Sequence, residues 1–441
     1  MRKALDQCLL GGLAIALGVT TAIPSFAQNL SESVLEMERS FEREYETHFG
    51  RDLATVTQSP EEMGATLARM GQETNTNPAV IWAMPREDHL HLVLVTSEGE
   101  PIVRDLYDVP KEKLQAIANR FTQSVTNPRR PFDRETAREL YSWLLEPFEL
   151  NFLRTEGIDT ILFCLGDGLR GLPLAALHDG DRFLIEKYAL TRIPAFNLIS
   201  HEYSDIQRNN ILAMGASEFE TLAPLPAVPI ELETIVGQLR SPQSSPAPLQ
   251  QLSILNDDFT GVDLQALLTN HEFDIVHFAT HADFLAGHPS ESYIQFHDQK
   301  VTLEDIPKFN WNKANVDLLV LSACRTAVGD REAELGFAGL ALQLGIDSAI
   351  ATLWNISDAG TLALMGEFYK ELSRQSTKAE SLRQTQLTML KGEVQFDGDR
   401  LLLSRGSVVP IPESLSPQIP TAEDLTHPYY WAGFSMISSP W

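Results

Sequence analysis

Short apolar runs recur along the chain from residue 158 onward, separated by helical or loop-like material. IDTILFCL (158–165), NNILAMGA (209–216), FDIVHFAT (273–280), VDLLVLSA (316–323) and DSAIATLW (347–354) are typical of strands buried on both faces. Such runs between helices predict a largely parallel α/β sheet covered by helices. Upstream, LSESVLEMERSFEREYETHF carries apolar residues at helical spacing among many charges, and Ser59-Pro60-Glu61-Glu62 reads as a helix start. PAVIWAM, HLHLVLVTSEG and PIVRDLYDV predict three short strands within 78–109, and residues 110–150 return to a helical period. LALMGEFYKEL and KAESLRQTQLTML predict two late amphipathic helices, and WAGFSMI a terminal strand. SPQSSPAPLQ (241–250) reads as a flexible surface loop, and the Pro-interrupted stretch 392–425 as an insertion. The resulting organisation is a helical segment over 28–75, a small α+β region over 76–134 packing on the main domain, and the main domain itself over 135–441.

Composition adds constraints on partners and compartment. The 441 residues are 43% apolar, ample for a core, and Asp plus Glu outnumber Lys plus Arg by 60 to 34, a net charge of −26. That balance repels nucleic acid and anionic membranes, and the aromatics form no stripe with basic residues. At the start, Arg2 and Lys3, the apolar LLGGLAIALGVTTAI and Ser25-Phe26-Ala27 predict a bacterial-type secretory signal peptide over 1–27. The expected location is therefore exported, periplasmic or secreted. The alternative, a retained anchor, is disfavoured because the apolar stretch is shorter than the ~20 residues that span a bilayer. Cys8 precedes the apolar stretch and lacks the small residues of a lipid-attachment site. Cleavage would leave Cys164 and Cys324, too few for a disulfide framework. One pairing is open to them, and the sharper reading is one buried and one reactive thiol.

The candidate chemistry lies in HFATHADF (277–284) and LSACRTA (321–327). Each follows a predicted strand, which sets His281 and Cys324 at the carboxyl ends of neighbouring strands, where open parallel sheets place their chemistry. Adjacent strands lie ~4.8 Å apart, a neutral imidazole can take the thiol proton, and backbone N–H groups can hold an oxyanion. Spacing alone favours the plainer alternative, a structural cysteine and a core histidine. His277 and His281 are four apart, a metal-sharing distance only on a helix; this segment reads as a strand end and lacks HExxH because Phe278 follows His277. A zinc site is not expected there, and His277 reads as a strand histidine satisfied by hydrogen bonds. GDGLRG (166–171) matches GxGxxG literally, but Pro173 and the Asp179-Gly180 turn leave too little helix for a dinucleotide fold, so a tight turn is predicted. No GxSxG elbow or P-loop occurs.

Further residues carry a family resemblance. LFCLGDGLRGLPLAALHDGDRFLIEKYALTRIP (162–194) looks like the opening of a CHAT domain, the caspase-like domain of many bacterial proteins. HFATHADF and VDLLVLSACRTAVGD resemble its histidine and cysteine motifs, AIATLWNISDAGTLALMGEFYKEL the strand and helix that follow, and HPYYWAGFSMI its closing strand. The similarity runs in order over roughly 135–441, and 28–134 is similar to the region preceding this domain in cyanobacterial exported members.

The resemblance implies an α/β fold of the caspase/separase type, a three-layer sandwich with a mostly parallel central sheet, here preceded by a small helical/β N-terminal region. It implies a cysteine endopeptidase in which His281 is the general base, Cys324 the nucleophile, and the backbone N–H groups of Ala282 and Cys324 hold the oxyanion. No metal or organic cofactor is required, the partner is a protein or peptide substrate, and a Cys164–Cys324 disulfide is not expected because their strands are not neighbours. Caspase-like enzymes usually have Gly where this chain has Ala282; if that position needs positive φ, alanine strains the loop. A catalytically weak module serving as a binding or regulatory scaffold is the competing reading. No tetratricopeptide repeats precede the domain, and the 392–425 insertion is a candidate lid or autoprocessing loop. Asp167, Asp283 and Asp358 lie near strand ends facing the expected cleft and are candidates to pair a basic P1 side chain. For Asp358 helix capping is the strong alternative, because Ser357-Asp358 opens a helix.

Overall fold

The structure, a computed structural model, describes residues 26–53, 56–204, 210–239, 250–285, 289–322, 324–326, 335–337, 339–419 and 425–441. Residues 1–25 of the leader expected over 1–27, Cys8 among them, and nearly all of the 241–250 loop lie outside the described residues, and no described helix is long and apolar enough to cross a membrane.

Helices α1 (Phe26–Phe49) and α2 (Pro60–Thr74) come first. Helix α2 starts where the sequence suggests, and its start is a capping box: the Ser59 hydroxyl accepts the Glu62 N–H while the Glu62 carboxylate accepts the Ser59 N–H. Strands β1 (Pro78–Pro85), β2 (Leu90–Val95) and β3 (Ile102–Leu106) follow, then α3 (Lys111–Val125) and α4 (Arg134–Leu144). Next come β4 (Thr160–Leu165), β5 (Ala189–Ile193), β6 (Ile211–Gly215), α5 (Val228–Gln238), β7 (Gln251–Leu255) and α6 (Gly261–Asn270). The site segment holds β8 (Ile275–Ala279), β9 (Ala282–Phe284), β10 (Tyr293–Gln295), β11 (Lys300–Thr302), β12 (Leu318–Leu321), β13 (Cys324–Thr326) and β14 (Ser348–Thr352). The chain closes with α7 (Asp358–Leu372), α8 (Lys378–Leu390), β15 (Gln395–Asp397), β16 (Arg400–Leu402), β17 (Val408–Pro410) and β18 (Phe434–Ser438).

Among the described residues, one sheet of eleven strands runs in the order β3-β2-β1-β4-β5-β18-β14-β12-β8-β6-β7. Its helices lie on both faces, and alternation along β1 shows why. Val80, Trp82 and Met84 pack with Val34, Met37 and Phe41 of α1 and Met63, Leu67 and Met70 of α2. Ala79, Ile81 and Ala83 belong to the opposite core with Leu114 and Phe121 of α3 and Leu140 and Leu144 of α4. The α/β class and the three layers are thus present. In the region 76–134, β1 pairs in parallel with β4, so β1–β3 continue the main sheet. Glu38, fully buried on α1, ties the N-terminal segment down by accepting hydrogen bonds from Trp82 Nε1 (2.7 Å), the Phe196 N–H (3.1 Å) and the Asn197 N–H (2.9 Å).

Strand direction decides where chemistry can gather. β14, β12, β8, β6 and β7 are mutually parallel, and so are β1, β4, β5 and β18. The two blocks meet at β14 and β18, which are antiparallel. The carboxyl ends of β4 and of β8 therefore lie at opposite edges of the sheet.

One sequence expectation changes. Helix α7 is buried along its whole length from Ala359 to Leu372, not amphipathic, and Glu367 and Lys370 satisfy one another and Ser404 inside the core. In the 392–425 insertion, β15–β17 form a small antiparallel sheet whose Leu401, Leu403 and Val409 are buried in the main core. It is held to α7 at Glu367, roughly 13 Å along the helix from Asp358. Its described part packs against α7 and the main core.

Candidate active site

Strands β8 and β12 are parallel neighbours, with Phe278 opposite Leu321. Both chains then leave the main sheet and pair again as β9 and β13, where Ala282 lies opposite Cys324. Three residues carry the chain from Leu321 to Cys324, whereas four carry it from Phe278 to Ala282. The histidine strand thus holds one extra residue between the two pairings, an offset of the kind by which bulges re-aim a side chain. The Ser322 N–H still donates to the Phe278 carbonyl (3.1 Å), so the slip falls within Ala279–His281.

That slip sets the orientation of His281. Its carbonyl accepts the Gln295 N–H (2.8 Å), so Ala282, next along the alternating antiparallel ladder, turns its own N–H away from β10 and toward the strand of Cys324. The His281 ring is half-buried against Phe219, centroids 4.8 Å apart, and its Nε2 lies 2.8 Å from the Ala223 carbonyl. A carbonyl only accepts, so Nε2 carries the hydrogen; in the neutral ring the lone pair is then on Nδ1. Ala282 has an extended strand backbone and is not among the described non-glycine residues with positive φ, which are Asn75, Asn256, Asn315, Arg405 and Ser438. The alanine therefore fits without the strain that a left-handed position would impose.

The segment that orients the ring, 217–227, is fastened at both ends. The Ser217 N–H donates to Asn256 Oδ1 (2.8 Å) and the Leu225 N–H to the Ser217 carbonyl (3.0 Å). At its far end the Ala227 N–H donates to Asp358 Oδ2 (2.6 Å). Asp358 opens α7 beyond the Ser357 cap, and burial pushes its carboxyl up to about 7, opposed by the Ala227 hydrogen bond and aided by the charge of Glu231. Beneath lies His277, fully buried, with Nδ1 3.0 Å from the Tyr369 hydroxyl and Nε2 3.0 Å from Glu231 Oε1. It is a hydrogen-bonded strand histidine, as its position in the sequence suggests. Burial and the Glu231 charge hold the Tyr369 hydroxyl well above the ordinary range.

The carboxylates proposed from sequence go to three different places. Asp283 is on β9 beside His281 and accepts the Tyr293 hydroxyl (3.0 Å). Asp358 is turned inward onto Ala227. Asp167 is not brought to this site: it follows β4, whose carboxyl end is at the opposite sheet edge, and it pairs with Lys111 Nζ at 3.0 Å. GDGLRG forms a tight turn, with the Leu169 N–H bonded to the Gly166 carbonyl and only a three-residue 3₁₀ turn, Leu174–Ala176, after it, so no dinucleotide helix is present. Cys164 is a fully buried free thiol 3.2 Å from the Pro194 carbonyl, and burial raises it well above the usual thiol range.

Residues missed by sequence reasoning are Phe219, Ala223 and the acidic wall around them. Phe219, which packs on His281, also lines a cavity of about 620 Å³ together with Glu218, Glu220, Gln295, Asp298 and Lys300; His281 itself is not in that lining. The only sequence signal was the Pro-rich APLPAVP turn, which marks a loop without saying what it touches.

Residues 134–439 match the sequence profile described as the CHAT domain. Among solved structures, the chain is similar to the Saccharomyces cerevisiae separase–securin complex, with 10% identity and a TM-score of 0.47, covering 86% of this chain and 30% of that one. It is also similar to the complex of Porphyromonas gingivalis RgpB pro- and mature domains, at 10% identity and a TM-score of 0.39, covering 75% and 77% of the two chains. No curated protein matches the chain by sequence.

Proposed function

Because the chain belongs to the CHAT domain family, we propose that it is a cysteine endopeptidase with Cys324 as nucleophile and His281 as base. The observation that carries this reading is the pairing of Cys324 with Ala282, the residue that follows a histidine held by Ala223 and Phe219. His281 Nδ1 takes the thiol proton, and the Cys324 sulfur attacks the peptide carbonyl. In this reading the resulting oxyanion is held by backbone N–H groups, those of Ala282 and Cys324. Collapse expels the amine, which receives the proton from His281, and leaves a thioester. Water, deprotonated by the same imidazole, then releases the acid and restores the thiol.

Substrates with a basic residue at the scissile bond suit the cavity, where Glu218, Glu220 and Asp298 outnumber Lys300. Of the carboxylates named from sequence, Asp283 is the one placed beside His281, and its bond to Tyr293 Oη leaves the carboxylate able to accept further donors.

The test is cleavage of a peptide library by the purified protein. Wild type is expected to turn over peptides with Arg or Lys at P1, and Cys324→Ala to abolish turnover with a nearly unchanged melt. No turnover by either form, with partner binding that survives His281→Ala, would establish a scaffold instead.

A further inference from the structure

The opposite end of the sheet carries a second convergent cluster. Among the described residues, strand β3 is one edge of the sheet, and β2 lies beside it. His89 and His91 are two residues apart where β2 begins, so their side chains leave on the same face. Asp105 on β3 is opposite His91 in register, and its Oδ1 lies 2.6 Å from His91 Nδ1 and 3.4 Å from His89 Nε2. The three ligand atoms lie within 4.8 Å of one another. On the far side of the His89 ring, Asp88 Oδ1 is 2.7 Å from Nδ1. A carboxylate there fixes the hydrogen on Nδ1 and leaves the Nε2 lone pair aimed into the cluster, the outer-shell arrangement that supports metal-binding histidines. The Tyr107 ring packs on His89 with centroids 5.0 Å apart, and the imidazole side chains are only 19% and 21% exposed, so their orientations are restrained.

We propose that His89 Nε2, His91 Nδ1 and the Asp105 carboxylate bind a divalent transition metal of the zinc class, with Asp88 orienting His89 and water completing the shell. Two imidazoles and one carboxylate suit zinc better than magnesium or calcium, which prefer oxygen ligands. Tetrahedral donors about 2.1 Å from zinc lie roughly 3.4 Å apart. The His89–Asp105 pair already has that spacing, and the His91–Asp105 hydrogen bond must open by under about 1 Å as the metal replaces the shared proton. His91 then carries its hydrogen on Nε2, on the wall of a cavity of about 590 Å³ that also exposes Arg86 and Asp167 beneath α1. The bound ion would link β2 to β3 at the sheet edge, far from Cys324.

Calorimetric titration of the chelator-treated full chain with zinc chloride tests this. One zinc per chain with micromolar or tighter affinity is expected, together with the visible bands of a tetrahedral site when cobalt(II) is used. His91→Ala and His89→Ala should remove the one-to-one isotherm, and Asp88→Asn should weaken it roughly 10–100-fold. The isosteric Asp105→Asn, with its melt in chelator matched to wild type, guards against loss by misfolding and should also bind weakly. An isotherm unchanged in both histidine variants, or no stoichiometric binding by wild type, would overturn the proposal.

Discussion

Cys324 lies opposite Ala282 in the parallel pairing of β13 with β9, one residue beyond the imidazole of His281. Neither residue belongs to the main sheet. Both sit where its central strands cross into a smaller one, and the extra residue on the histidine side is what turns the ring toward Phe219 and Ala223. Alanine stands there with an extended backbone, not a left-handed one.

From this geometry Ala282→Gly is predicted to leave kcat/KM for the best peptide within about threefold, because glycine gains nothing at an extended position except flexibility. A rise of two orders of magnitude or more would mean that the active conformation needs a left-handed backbone at 282. Steady-state kinetics on the wild type and variant, at matched active-site titres, measure the difference.

The two thiols are predicted to alkylate at very different rates. Cys164 is buried, bonded to a carbonyl and held protonated. A thiolate paired with imidazole reacts far faster than a buried thiol. Mass spectrometry after brief iodoacetamide treatment at neutral pH should find the label on Cys324 and almost none on Cys164 until the protein unfolds. Equal labelling of the native protein would count heavily against a dyad, and His281→Ala should slow labelling at Cys324 alone.

The apolar runs that became β4, β6, β8, β12 and β14 were legible because strands buried on both faces need continuous apolar sequence. Strand direction was not legible. Asp167 and Asp283 both follow such runs, and nothing local tells that β18 reverses one block against the other and sends Asp167 to the opposite edge. The motif histidine was likewise visible, but its support was not, since Ala223 acts through a backbone carbonyl that any residue supplies. The burial of α7 escaped notice because Glu367, Lys370 and Glu371 read as a solvated face, whereas contacts with the 392–425 segment satisfy them.

Asp358 gives a pH dependence whose sign can be worked out. Its carboxyl is raised to about 7 in the folded protein, chiefly by burial, against an ordinary value near 3.8. Between those values the folded state holds a proton that the unfolded state has released, so stability falls as pH rises through this window and levels off above it. The contribution is of the order of 4 kcal/mol at most. Asp358→Asn keeps an acceptor for the Ala227 N–H and cannot ionise. It is predicted to melt higher than wild type at pH 8, to converge on it only as pH falls below about 3.8, and to flatten the stability profile between. Urea unfolding at several pH values checks this; parallel profiles would show that Asp358 does not carry the shift.

The buried trio of Glu231, His277 and Tyr369 is predicted to be structural and strongly coupled. Tyr369→Phe removes one donor to His277 Nδ1 and should cost about 1 kcal/mol. His277→Leu should cost more, roughly 3–5 kcal/mol, because it strands the Glu231 carboxylate in the core without its 3.0 Å partner. Combining His277→Leu with Glu231→Leu should recover much of that loss, since removing both partners abolishes the unpaired charge. A double-mutant cycle by urea unfolding reads the coupling, and peptide turnover in Tyr369→Phe should stay close to wild type because the trio lies beneath the His281 site without touching its ring. Additive single-mutant effects would show that the three residues are independent, and a large loss of turnover in a stably folded Tyr369→Phe variant would place the trio in the catalytic machinery.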